Sequence, residues 1–263
     1  MIKNVTIDRD TNVQGLISKF TQVNLSYYAE GYIFNYRNVS EIPKENMDYI
    51  NSVKYAVKCR RMFSGCRSLR TLDLLKFNTS YVTDMEGMFN NCNLLNTLNL
   101  SNFNTSNVTN MGVMFSGCSS LTTIDLSNFD TSHVTTMGNM FSYDDSLISL
   151  NLSTFNTSKV TYMNDMFYGC TSLSSLNISN WDTSKVTTMG YMFTDCISLT
   201  MVKGTPDLSS CTSVHYMFYN TPNLRNVHLK NVPRSLIDTD GSLKGASGTL
   251  NKTYIIDNIL EGK

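Results

Sequence analysis

Met-Phe pairs begin at Met62, Met88, Met114, Met140, Met166, Met192 and Met217, so one dipeptide returns every 26 residues, with a last step of 25. A fixed period of this size constrains the chain more than any composition does. A unit that short cannot close a core of its own and must bury its apolar face against the units before and after it. The expected fold is therefore a repeat solenoid of about seven coils, capped at both ends.

Each unit reads as a set of slots. In the unit that starts at Met114 the apolar slots are Met114, Phe115, Cys118, Leu121, Ile124, Leu126, Phe129, Val134 and Met137. Leu121, Ile124 and Leu126 follow the L-x-x-L-x-L spacing of a leucine-rich repeat, whose last three residues alternate as a strand does. The same slots hold Leu69, Leu72 and Leu74, then Leu95, Leu98 and Leu100, and later Leu147, Leu150 and Leu152, and Leu173, Leu176 and Ile178. The S-N-F-D-T-S stretch that follows is rich in side chains that bond their own backbone, which predicts a corner. Phe77, Phe103, Phe129, Phe155 and Trp181 would pin that corner inward. V-T-x-M predicts a second short extended segment, and G-x-M-F-x-x-C a tight helical or 3₁₀ turn. No proline falls between Pro43 and Pro206, so none interrupts strand pairing. The domain reading is a cap over 1–55, the repeats over 56–229, and a C-terminal cap or attachment tail over 230–263.

These units, written L-x-x-L-x-L-S-N-F-x-T-S-x-V-T-x-M-x-x-M-F-x-x-C, resemble the repeats of BspA-like leucine-rich-repeat surface proteins of bacteria in their 26-residue variant. The resemblance covers residues 56–229. It implies a leucine-rich-repeat-like stack of short parallel β-strands with short helical turns. It also implies a secreted or surface-displayed protein that attaches to proteins, cells or matrix. The N-terminus shows no signal-peptide run, so the alternative expectation is a structural or receptor-contacting component of a phage virion, joined to a larger assembly through its termini.

The cysteines invite a metal or disulfide reading, but their positions point to packing. Cys66, Cys92, Cys118, Cys170 and Cys196 share one slot, in which Asp144 is the exception. Cys59 stands in a methionine slot and Cys211 in a valine slot. Free cysteine behaves as a small hydrophobe, and no ligand pair at zinc spacing is present. Seven buried, reduced thiols are expected, with no metal and no cofactor. The methionines before Phe and those of V-T-x-M read as gap-fillers between coils.

Chemistry is not visible in the sequence. There is no phosphate-binding glycine loop, nucleophile elbow or H-E-x-x-H. The adjacent Asp144 and Asp145 read as a solvated loop. The column Asp73, Asn99, Asp125, Asn151 and Asn177 reads as a solvated face rather than a calcium site. The N-T-S triplets fall in corners, where turn chemistry accounts for them. Twenty-one basic residues balance 21 acidic ones, which argues against nucleic acid; no apolar run is long enough for membrane insertion. A non-catalytic binding module is expected, with a protein or glycan partner.

The slot before Met-Phe holds Gly87, Val113, Asn139, Asp165, Tyr191 and Tyr216, and reads as solvent-facing because it varies. The slot after Met-Phe adds Tyr168 and Tyr219, and Tyr162 lies nearby. The candidate contact patch is therefore Tyr162, Tyr168, Tyr191, Tyr216 and Tyr219, facing an external partner or the chain's own tail.

Overall fold

The computed structural model describes residues 58–238 and 253–260; the cap expected over 1–55 lies outside them. Within them, successive coils lie side by side in parallel, each offset by one repeat. Single parallel bridges run from Lys58 to Asp84, Asn110, Thr136, Tyr162, Thr188 and Ser213 in turn. After the first, these are the residues between the threonine and the last apolar residue of V-T-x-M, which is therefore the extended segment that the coils share.

The Met-Phe stretch follows, and here the helical expectation fails. Among the described residues the one helix is α1 (Ser235–Asp238), beyond the repeats. In the third coil the N–H groups of Val113, Phe115 and Gly117 donate to Gly138, Met140 and Ser142 of the next coil at 2.8, 2.9 and 2.8 Å. The alternate N–H groups, of Met114, Ser116 and Cys118, close four-residue turns onto Met111, Val113 and Phe115. An α-helix needs every N–H for its own ladder. Here half of them leave for the neighbouring coil, so the segment becomes a chain of linked turns. Two of these turns need a third residue at positive φ, as type II turns do. Val113 (φ 60) and Gly117 (φ 76) supply it.

The leucine segments form regular strands only late in the chain. β1 (Ser175–Asn177) pairs in parallel with β2 (Met201–Lys203). β3 (Asn226–Leu229) pairs with β5 (Thr253–Ile256), and β4 (Val232–Pro233) with β6 (Ile259–Leu260). Earlier coils keep isolated bonds there, such as Ile148 N–H to the Thr122 carbonyl at 3.1 Å. Each such segment is a few residues long and its outer face is wet, so a full ladder has little to gain over water. The described part of the 230–263 region thus continues the parallel stack.

The core is one column after another. Phe63, Phe89, Phe115, Phe141, Phe167, Phe193 and Phe218 stack with centroids 5.4–5.7 Å apart and near-parallel rings. Both methionine columns are buried beside them. All seven cysteines are free and buried. The thiols of Cys92, Cys118, Cys170 and Cys196 donate to the carbonyls of Phe63, Phe89, Phe141 and Phe167 at 3.0–3.3 Å.

The polar motif residues have equally fixed tasks. Asp73, Asn99, Asp125, Asn151 and Asn177 each accept the N–H two residues on, so that column is a run of Asx turns. Thr79, Thr105, Thr131, Thr157 and Thr183 are buried. Each hydroxyl donates to a carbonyl of the next coil; Thr131, for example, donates to Asn156 at 2.9 Å and accepts the N–H of Asn156 at 2.8 Å. One departure stands out in the core. Asp144, expected in a solvated loop, is fully buried in the cysteine column.

Candidate functional site: an aromatic strip

Left-handed turns push side chains outward on the Met-Phe edge of the stack. The slot before Met-Phe is at positive φ in every coil from Arg61 to Tyr216, and so is the slot four residues later, from Gly65 to Asn220. The first slot is therefore not the freely variable surface position that its variety suggested. Gly87 is buried and Val113, Asn139, Asp165, Tyr191 and Tyr216 are half-buried.

In the first three coils this edge carries Gly, Asn, Ser and Val, with Arg61 at its start. From the fourth coil it carries rings. Tyr143 meets Tyr168 edge-on with centroids 5.0 Å apart, and Tyr168 lies 6.5 Å from Tyr191. Tyr191 lies 5.5 Å from Tyr216 and 5.3 Å from His215, and Tyr216 lies 5.2 Å from Tyr219. Six rings thus form an unbroken line across four coils. Tyr143 and Tyr219 are the most open, at 54% and 44% exposure. Burial, and then bonding with Tyr143, pushes the Tyr168 phenol up to about 12; its hydroxyl also bonds Asp195.

Of the five tyrosines singled out from the sequence, the structure joins Tyr168, Tyr191, Tyr216 and Tyr219. Tyr162 is apart from them: among the described residues no ring contact involves it. Its ring lies over Gly138, where a Cβ would run into the tyrosine ring. Tyr162 belongs to the bridged V-T-x-M column, six residues before the strip's Tyr168. Tyr143 and His215 were missed. Their signal was a large ring in slots that elsewhere hold glycine: Gly117 and Gly169 for Tyr143, Gly112 and Gly190 for His215.

Carboxylates border the rings. Asp165 precedes Tyr191 in the same column, Asp145 follows Tyr143 by two residues, and Asp195 accepts the Asn220 amide at 2.7 Å. Burial holds the carboxyls of Asp145 and Asp165 above the usual carboxylate range. Among the described residues none of these three is in an ion pair. In the tail, β5 and β6 pair with β3 and β4.

A family model described as "Mycoplasma protein of unknown function, DUF285" matches residues 57–149 and again 143–248. The chain belongs to that family. The two DUF285 matches span the whole run of Met-Phe coils. A leucine-rich repeat protein from Bacteroides ovatus ATCC 8483 is similar in structure at 17% identity, with a TM-score of 0.32, covering 77% of this chain and 76% of that one. No curated protein matches the sequence. Among the described residues of this DUF285 chain, no helix is long and apolar enough to cross a membrane.

Proposed function

We propose that this protein is a non-catalytic binding module, a leucine-rich-repeat-like solenoid that holds a protein or glycan partner against the aromatic strip of its C-terminal coils. The observation that carries the reading is the unbroken line of Tyr143, Tyr168, Tyr191, His215, Tyr216 and Tyr219. The stack does not need these rings, because earlier coils stack with non-aromatic residues in the same slots. The repeated Asx and Thr side chains, by contrast, are engaged in turns and coil-to-coil bonds. Exposed aromatic clusters of this kind mark contact surfaces. An adhesion role at a bacterial surface follows from the resemblance to BspA-like repeats and forms part of the same proposal.

The test is to screen the protein on glycan and peptide arrays, then repeat the screen with a Tyr191→Ala, Tyr216→Ala double variant. The variant is expected to keep the wild-type circular dichroism spectrum and to lose the hits. Hits that survive in a folded double variant would show that the partner binds elsewhere.

A further inference from the structure

Resting on that reading, we infer that the strip recognises an extended polypeptide segment bearing arginine or lysine. Two properties of the strip point the same way. The first is its charge. Asp145, Asp165 and Asp195 border the rings, and none is in an ion pair among the described residues. Lys159, Lys185 and Lys203 are the lysines of the coils from Met140 to Asn220, which contain no arginine. The first two follow the T-S corner and the third lies in β2, so none is on the Met-Phe edge. A carboxyl half-withdrawn from water with no cation beside it is an unfavourable arrangement, and desolvation holds Asp165 in that state. A guanidinium or ammonium brought by a partner relieves it.

The second property is the rings themselves. Tyrosine faces attract cations, and arginine most often. The strip therefore offers alternate π-faces and carboxylates, which suits a cation that stacks and pairs at once. Its steps also suit an extended chain. Side chains on one face of a strand recur about every 7 Å, and the ring centroids advance in steps of 5.0–6.5 Å.

The experiment is calorimetric titration of the full chain with three probes: a short peptide of alternating glycine and arginine, the same peptide with citrulline for arginine, and a neutral chito-oligosaccharide. The arginine peptide is expected to bind and the citrulline peptide to bind about tenfold more weakly or not at all. Raising the salt to about 1 M, where screening acts over about 3 Å, is expected to weaken binding further. An Asp165→Asn, Asp195→Asn double variant is expected to lose about tenfold in affinity for the arginine peptide. Asn is well suited to positive φ and both positions are left-handed, so this variant keeps the fold. Equal binding of the arginine and citrulline peptides, or no effect of the carboxamide variant, overturns the inference. Binding of the oligosaccharide alone, lost in the Tyr191→Ala, Tyr216→Ala variant, overturns it as well but leaves the aromatic strip as the contact face. Arginine-peptide binding that the tyrosine variant leaves intact overturns both, and so does failure of all three probes.

Discussion

The carboxyl of Asp144 accepts the backbone N–H of Cys118, one coil back, at 2.8 Å through Oδ1, while Oδ2 has no hydrogen-bond partner and the residue is fully buried. The same slot in the flanking coils holds Cys118 and Cys170, whose thiols donate to a phenylalanine carbonyl one coil back. A cysteine at 144 would find the Phe115 carbonyl in the equivalent place. Leaving a polar atom buried without a partner costs about 1–3 kcal/mol. Asp144→Cys is therefore expected to stabilise the protein by about that amount at neutral pH, read as a higher denaturant midpoint. A lower midpoint would mean that the bond to Cys118 outweighs the orphaned oxygen.

The same residue sets a pH dependence. Burial raises the Asp144 carboxyl well above its ordinary value, and Asp145 beside it adds to the effect. The titratable groups stacked against it are Cys118 on one side and Cys170 on the other, and both thiols are themselves raised by burial. The folded state thus holds the Asp144 proton more tightly than the unfolded chain does. Its contribution is fully present below the ordinary carboxyl range near 3.9 and is lost as pH rises through the folded value. Asp125, Asp130 and Asp182 act in the opposite direction, because hydrogen bonds from Ser127, Ser132 and Ser184 lower them. The difference between wild type and Asp144→Asn isolates the one residue. That variant is expected to gain on the wild type as pH is raised from 4 toward 7. A constant difference across the series would contradict the assignment.

Left-handed backbone at Val113 gives a third expectation. A branched side chain at φ 60 is strained by roughly 1–2 kcal/mol. Val113→Gly removes that strain at the loss of a half-buried side chain and some chain entropy, and is expected to raise stability by up to about 1 kcal/mol. Gly117→Ala is the contrary control. Its Cβ would fall 2.7 Å from the Asn91 side-chain oxygen at φ 76, and a loss of about 1–3 kcal/mol is expected. Equal responses of the two positions in chemical denaturation would refute the turn geometry.

The period, the apolar columns and the buried thiols were legible in the sequence because every coil meets the same neighbours, so each core slot is written again and again. Backbone conformation was less legible. Val113, Asn139, Asp165, Tyr191 and Tyr216 share one positive φ but no side-chain chemistry, and a slot filled by such unlike residues looks like free surface. The helical reading of G-x-M-F-x-x-C failed for a related reason. Which N–H groups leave for the next coil is decided by stacking, and local spacing carries no trace of it. The strip was legible in four of its six rings. Tyr143 and His215 escaped because they sit where other coils have glycine, and Tyr162 was included because nearness in sequence does not say which edge a residue faces.

The buried threonine of the T-S corners yields a fourth prediction. Thr131 is buried and serves Asn156 as both donor and acceptor. Thr131→Val keeps the shape but leaves the N–H of Asn156 without its acceptor, which is expected to cost about 1–3 kcal/mol. Thr135, four residues on, is exposed, and its hydroxyl donates to the Thr109 carbonyl. Thr135→Val is expected to change stability by less than about 0.5 kcal/mol. If both variants behave alike in urea, the buried threonine column does not hold the coils together.

The thiols give the last prediction. Burial raises Cys59, Cys196 and Cys211 to about 12. Cys92 is raised first by bonding with the Cys66 thiol and then by burial. Thiolate is the reactive form, so the native protein at mildly alkaline pH is expected to react slowly with an alkylating reagent, at the rate at which coils open. Unfolded in denaturant without reductant, it is expected to take up label at all seven positions, as counted by intact mass. Cys66 and Cys92 are the informative pair, since their thiols already meet across adjacent coils. Parallel side chains in register rarely offer the dihedral of about 90° that a disulfide needs, and the pair is expected to label fully. A mass showing two labels too few, with both peptides unmodified, would place a disulfide there and overturn the reading of the cysteine column as packing alone.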